Sequence, residues 1–260
     1  MKRRISQNQN TSWQPVSRWY NKLTGIRGGY FHQQVIIPNV IRQLSLKPGD
    51  SLLDLGCGQG VLARNIPLDI DYYGIDLAVD LLDYARKSNR NPRCRFLKAD
   101  ITRPLPLDKK DFTQATAILV LQNVARPDLI IKNAAGCLVN QGRLVIVINH
   151  PCFRIPRQSS WGIDEQNQVQ YRQINRYLSS LRVPINIRPS RGKKGPVAWS
   201  FHFSLSALSR FLDENGFLIK KIEEWISDKA SVGRAAKMEN RAREEFPLFL
   251  SILAQKHRQM

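Results

Sequence analysis

The run DLGCGQG at residues 54–60 constrains this chain more than any other stretch. Gly56, Gly58 and Gly60 fall at every second position, just after the apolar pair Leu52 and Leu53, with Asp54 in front. Glycines that follow a strand let the backbone turn tightly and approach a ligand closely. Dinucleotide folds space them G-x-G-x-x-G and rest a pyrophosphate on the next helix N-terminus. Here the spacing is G-x-G-x-G behind an acid. A carboxylate at that point repels a pyrophosphate and suits a ligand that carries an ammonium or a sulfonium.

Around the glycines the pattern alternates between short apolar runs and amphipathic ones. Strands are expected at 51–55, 71–76, 94–98, 113–121 and 143–149, with helices at 78–88 and 127–138. In the first helix, Asp80 and Asp83 come early and Arg86 and Lys87 late, an order that complements the helix dipole. Pro127 suits the first turn of the second. Such alternation with short links implies a parallel sheet covered by helices on both faces. After residue 150 it stops. Residues 151–203 are rich in Pro, Arg and Trp, with a helix expected within 165–181. A helix over 204–216 ending at Gly216 follows, then strands at 217–225 and 246–256. The expected organisation is a disordered polar tail at 1–12, an α/β core from 13–150 and 204–260 with an N-terminal lid, and an inserted cap at 151–203.

Two further acids end strands, Asp76 in YYGIDLA and Asp100 in LKADI. A carboxylate at Asp76 can accept both hydroxyls of a ribose, and Asp100 can accept from an adenine amino group. Each acid alone reads equally well as a helix cap. With Asp54 they end three successive strands, where open α/β sheets bind ligands.

The ordered set LLDLGCGQG, GIDLA, KADI, LQNV and GRLVIVINHP resembles the motifs of the class I S-adenosylmethionine-dependent methyltransferases. The resemblance covers about residues 13–260, and the segments WSFHFSLSALSRFLDENGF and FPLFLSILAQK are similar to the C-terminal part of members with small-molecule acceptors. It implies a Rossmann-like seven-stranded mixed sheet, its last strand antiparallel, with helices on both faces. It implies that Gly56, Cys57 and Gly58 contact the methionine part of S-adenosylmethionine, that Asp76 holds the ribose, and that Asp100 and Ile101 hold the adenine. Leu121 and Gln122 would line the methyl-donor face, and Asp54, Gly60 and Leu77 complete the cofactor set.

The acceptor is read from what surrounds that set. The N/D-P-P-aromatic motif of exocyclic-amine methylation is absent after the fourth strand, where the chain has LQNV. Cys152 lacks the companion Pro-Cys of carbon-5 pyrimidine chemistry and reads as a small apolar filler. His150 and His202 frame the insertion and are the candidate bases. Tyr20, Tyr30 and His32 are expected in an N-terminal lid over the donor. Net charge is +19. Residues 1–50 hold eight basic residues against one acidic, and residues 151–203 nine against two. Such a field favours an anionic partner, and Arg154 and Arg157 are expected to clamp it. The first reading is therefore O- or N-methylation of a small anionic acceptor. RNA methylation, favoured by the charge and by RPSRGKKGP, and a non-catalytic cofactor-binding module are the alternatives. No metal ligand set is read.

No apolar run reaches the ~18–20 residues of a membrane span. No secretory signal is read in MKRRISQNQNTSW, although the lack of acidic residues before Asp50 leaves a mitochondrial transit segment as a minor alternative. The four cysteines are spaced as unpaired thiols, which suits the cytoplasm.

Overall fold

The structure is a computed structural model, and it describes residues 13–186 and 197–257. The expected tail at 1–12 and the basic run RPSRGKKGP lie outside the described residues.

The chain opens with α1 (Ser17–Thr24), a π-turn at His32–Ile36 and α2 (Ile37–Leu44). Strand–helix alternation then begins with β1 (Ser51–Leu55), β2 (Asp71–Asp76), α3 (Val79–Ser88), β3 (Cys94–Lys98), β4 (Phe112–Ile118), α4 (Pro127–Cys137) and β5 (Leu138–Asn149). Two antiparallel hairpins come next: β6 (Ser159–Asp164) with β7 (Val169–Ile174), and β8 (Leu181–Asn186) with β9 (Val197–His202). The chain closes with α5 (Leu205–Asp213), β10 (Phe217–Trp225), α6 (Ala236–Glu245) and β11 (Phe249–Lys256).

Seven strands form one sheet in the order β10-β11-β5-β4-β1-β2-β3. β11 runs antiparallel to both neighbours, and β5, β4, β1, β2 and β3 pair in parallel. This is the mixed Rossmann-like sheet that the motif order implies. Alternation along β1 sends Leu53 and Leu55 to one face, where they pack with Ile130 of α4 and Leu208 and Leu212 of α5. Leu52 faces the other side, against Val40 of α2, Leu62 and Tyr72. Leu52, Leu53 and Leu55 are fully buried, and truncating such a leucine to alanine costs ~2–5 kcal/mol. Asp54 thus sits in a dry strand between two filled faces, paired in register with Gly74 and Thr116.

Three expectations need correction. The stretch expected as a helix within 165–181 forms β7 and leads into β8. An Asp164 side chain that accepts from the Asn167 N–H at 3.0 Å closes the preceding turn, and the Arg172 guanidinium stacks over Trp161 across the hairpin, 4.7 Å from its centroid. These cross-strand contacts override a polar segment with no apolar period of its own. β4 ends at Ile118, because Leu119 adopts a left-handed φ of 53° and a 3₁₀ turn occupies Leu121–Asn123. β5 begins at Leu138, directly after α4.

Candidate functional site

A cavity of ≈ 270 Å³ opens at the C-terminal ends of β1, β2 and β4. Asp54, Gly56, Cys57, Gly58, Asp76, Leu77, Asp100, Ile101 and Gln122 line it, as do Tyr20 and His32 from the N-terminal segment.

The glycine loop is built by φ values that only glycine adopts freely, +79° at Gly56 and +53° at Gly58. At Gly56 a Cβ would also lie 2.5 Å from the Val120 side chain. The N–H groups of Gly56 and Cys57 both donate to the Ile75 carbonyl, at 2.8 and 3.0 Å. Gly58 N–H donates to Asp76 Oδ2 at 2.9 Å, and Gly60 N–H to the Cys57 carbonyl at 3.0 Å. Three of these four donors are spent on the end of β2 and the fourth within the loop, unlike the free N–H groups that cradle a phosphate. The wall therefore offers carboxylates in place of an anion site.

Asp76 is held by two backbone donors, Gly58 N–H and Ala78 N–H at 2.8 Å. Its carboxyl is fixed in place with lone pairs to spare for a ligand. Burial raises its pKa, and the backbone hydrogen bonds oppose the rise. Asp54 accepts from the Tyr72 hydroxyl at 2.6 Å and the Thr116 hydroxyl at 2.8 Å. Burial pushes its pKa up to about 6 against those two bonds. Asp100 accepts from both the N–H and the hydroxyl of Thr102, at 2.9 and 2.7 Å. The Tyr20 hydroxyl, buried and near the Asp76 charge, has its pKa raised to about 12.

Several expected residues lie elsewhere. Leu121 is 1 % exposed and lines the second, smaller cavity described below, while the wall of this one is made by Ile118, Leu119, Val120 and Gln122. The left-handed turn at Leu119 shifts the side-chain phase by which β4 would have presented Leu121. Gly60 packs the loop against α3, where a Cβ would meet that of Ala85 at 3.1 Å. Tyr30 is exposed, with its hydroxyl on Asp228 at 2.8 Å and Lys229 over its ring. Arg157 donates to the Pro184 carbonyl at 2.7 Å, tying the two hairpin regions together.

His150 is also misplaced for a base. Its Nε2 lies 2.6 Å from Glu224 Oε1 of β10, its Nδ1 accepts from Cys152 N–H at 3.2 Å, and Phe153 stacks on the ring. Both nitrogens are committed and the ring is 1 % exposed. The histidine instead pins the turn after β5.

Arg154 and His202 lie together in a second, smaller cavity of ≈ 30 Å³, with Gln122, Asn149, Ser200, Phe201 and Leu208. Gln122 lines both cavities. Its Oε1 accepts from Asn149 N–H at 2.9 Å, which orients the amide and leaves its NH₂ as a donor at the junction. His202 Nε2 lies 2.6 Å from the Tyr177 carbonyl, which sets that nitrogen as the donor and Nδ1 as the acceptor. Burial lowers the His202 pKa.

Trp13 lines the main cavity without any sequence signal. Its segment is strapped to the start of α3, where Ser17 Oγ donates to Asp80 Oδ2 at 3.0 Å and Asp80 N–H to Gln14 Oε1 at 3.2 Å.

Residues 53–146 match the family described as a methyltransferase domain. Over 154 residues the chain is 27% identical to the 2-phytyl-1,4-naphtoquinone methyltransferase of Trichormus variabilis, covering 56% of this chain and 61% of that protein. The fold is similar to an S-adenosylmethionine-dependent methyltransferase from Mesorhizobium loti (TM-score 0.64, 23% identity, 84% of this chain and 96% of that one). It is similar as well to one described as putative from Listeria monocytogenes (TM-score 0.66, 22% identity, 85% and 98%). The chain spans less than two thirds of the length of the curated relatives it matches.

Residues 53–146 thus form a methyltransferase domain, and the sheet order is that of the fold seen in solved S-adenosylmethionine-dependent methyltransferases. The cofactor those structures are described as depending on is S-adenosylmethionine.

Proposed function

We propose that the protein transfers a methyl group to an oxygen or nitrogen of a small anionic acceptor. When bound, S-adenosylmethionine supplies an electrophilic methyl group on its sulfonium. The glycine loop carbonyls and Asp54 hold the cationic methionine end, Asp76 the ribose hydroxyls, and Asp100 and Ile101 the adenine. Tyr20, His32 and Trp13 close the cavity from the N-terminal side and exclude water. The enzyme's contribution is then largely orientation of two reactants.

The observation that carries the acceptor reading is the second cavity, which meets the cofactor cavity at Gln122. There Arg154 supplies a cation for an anionic group. His202 is neutral near pH 7, and its Nδ1 can take the proton that an O or N acceptor loses. Residues 151–203 act as the cap. At ≈ 30 Å³ the cavity holds no more than a water or two, so the β8–β9 hairpin must move off the Leu121–Asn123 turn to admit an acceptor. The unpaired thiols fit a cytoplasmic enzyme. Among the described residues no helix is long and apolar enough to cross a membrane.

One observation favours RNA as a second reading. Arginines stack on tryptophans along the hairpins, Arg182 on Trp199 at 3.9 Å and Arg172 on Trp161 at 4.7 Å, a pairing that also serves stacked bases. Incubation with methyl-labelled cofactor and two fractions, total RNA and small metabolites, separates them. Label in small anionic metabolites is expected. Label confined to RNA overturns the proposal, and no label in either points to a binding module.

A further inference from the structure

β10 is an end strand of the seven-stranded sheet, and among the described residues no strand pairs with its outer edge. It carries apolar side chains into solvent: Leu218 is 50% exposed, Ile222 48% and Ile219 37%, with Ile226 just beyond at 42%. An exposed nine-residue edge of this kind is a template for another strand. Free edges are usually guarded by a bulge or by charged side chains, lysine above all. A register irregularity does occur between Ile219 and Lys221. The charges, however, come in both signs and in a telling order: Lys220, Lys221, Ile222, Glu223, Glu224. Read backwards, that run carries the opposite charge at every charged position. In a chain of net charge +19, it is locally neutral.

We propose that β10 pairs with β10 of a second copy of this chain, antiparallel about a two-fold axis at Ile222, so that the sheet continues across a homodimer. In that register Ile222 faces its own copy, and Lys221 lies opposite Glu223 on both sides of the axis. Lys220 lies opposite Glu224, at the irregular end of the run. A parallel in-register pairing would set lysine on lysine and glutamate on glutamate, so the charge order selects the antiparallel arrangement. The faces agree. Pairing with β11 sets Ile222 opposite Ile252, on the side of the core that holds α5, and sets Lys221 and Glu223 opposite Leu253 and Ser251 on the other. Within one chain Lys221 Nζ is already 2.8 Å from Glu223 Oε1, and Arg42 also holds the Glu223 carboxylate. Two such pairs meeting at the axis alternate in sign, and the isoleucines cover one another on the opposite face. The interface is isologous, as a two-fold requires. Glu224 remains 55% exposed beyond its contact with His150, so the pairing leaves that contact in place.

Light scattering of the full chain across a concentration series tests this directly. The expected mass is about twice 29.8 kDa at high concentration, falling toward the monomer on dilution. Ile222→Lys places like charges on the axis, and it should remain monomeric at every concentration while its S-adenosylmethionine affinity and melting temperature stay near those of the parent. Ile222→Cys adds a geometric readout. Opposed Cα atoms in an antiparallel pair lie ~4.5–5.5 Å apart, within disulfide reach. Oxidation should therefore cross-link this variant into a dimer, whereas the parent and Leu218→Cys stay single chains. A parent that remains monomeric at hundreds of micromolar overturns the proposal. So does an Ile222→Lys variant that still dimerises, or cross-linking through Leu218→Cys in place of Ile222→Cys.

Discussion

Asp76 offers the sharpest separation between holding a fold and holding a ligand. Its two carboxylate oxygens accept from Gly58 and Ala78 N–H at 2.9 and 2.8 Å. Asp76→Ala deletes those part-buried bonds and leaves two donors unpaired, at up to ~1–3 kcal/mol each where water does not replace the carboxylate. It also removes the acceptor for the two ribose hydroxyls, where a hydrogen bond to a charged group is worth ~1.5–3 kcal/mol. Cofactor affinity should fall at least tenfold, since even one such bond accounts for about that factor. Affinity alone does not prove a ribose contact, because a loosened glycine loop would lower it too. A double-mutant cycle resolves the two. Parent and Asp76→Ala are each titrated calorimetrically with S-adenosylhomocysteine and with its 2′-deoxy analogue. If the carboxylate holds the 2′-hydroxyl, the deoxy analogue binds the parent more weakly but binds Asp76→Ala about as well as the parent ligand does. An equal deoxy penalty in both proteins, or unchanged affinity in the variant, would falsify the ribose assignment.

Four further outcomes follow from the same geometry. Calorimetry should detect S-adenosylmethionine and its demethylated product but not NAD; heat from NAD alone would remove the cofactor reading. Asp54, with its pKa raised by burial from 3.8 to about 6, should take up a proton as pH falls through 6, so cofactor affinity should drop about tenfold between pH 7 and pH 5. The same shift has the opposite sign for the empty protein: Asp54 disfavours folding above pH 6, and this is relieved as pH falls from about 6 toward 4; a flat binding profile would contradict the assignment. Gly56→Ala, whose Cβ would meet Val120 at 2.5 Å with φ at +79°, should lower stability by ~1–3 kcal/mol in a thermal melt, and a parent-like melt would show that the loop is not strained against that wall. Arg154→Ala should raise the acceptor's Michaelis constant without changing cofactor affinity. Arg157→Ala should act only through the hairpin anchor at Pro184, and equal kinetic effects would mean that the second cavity does not choose the acceptor.

What could be read from the sequence depended on how far away the deciding atoms lie. The glycine loop and Asp76 were legible because the requirement is local: a positive φ and a carboxylate two residues from the N–H it caps. Register then carries Asp54 and Asp100 to the same cavity, since parallel strands end together. Leu121 lines the second cavity and not the first because of a single left-handed residue, Leu119, which no propensity marks. His150 has the right address, but its partner Glu224 is 74 residues away, so nothing near it in sequence shows that both nitrogens are taken. The segment at 165–181 gave no apolar period, and its strand rests on Trp161 packing against Phe246 and under Arg172.

Gln122 explains why the two halves of the site should vary independently. Its Oε1 is fixed by the Asn149 N–H at the end of β5, so its amide is set by the sheet. The cofactor side is walled by the ends of β1, β2 and β4 and the N-terminal segment. The other side is walled in large part by the turn after β5 and by β9, which join the sheet only at their ends. Under the proposed function, a change of acceptor calls for new residues in the hairpins, with Asp54, Asp76 and the glycine loop left alone. Arg154, one of the basic residues of 151–203, lies on this side. That is where charge can choose an acceptor without disturbing the carboxylates that face the cationic cofactor.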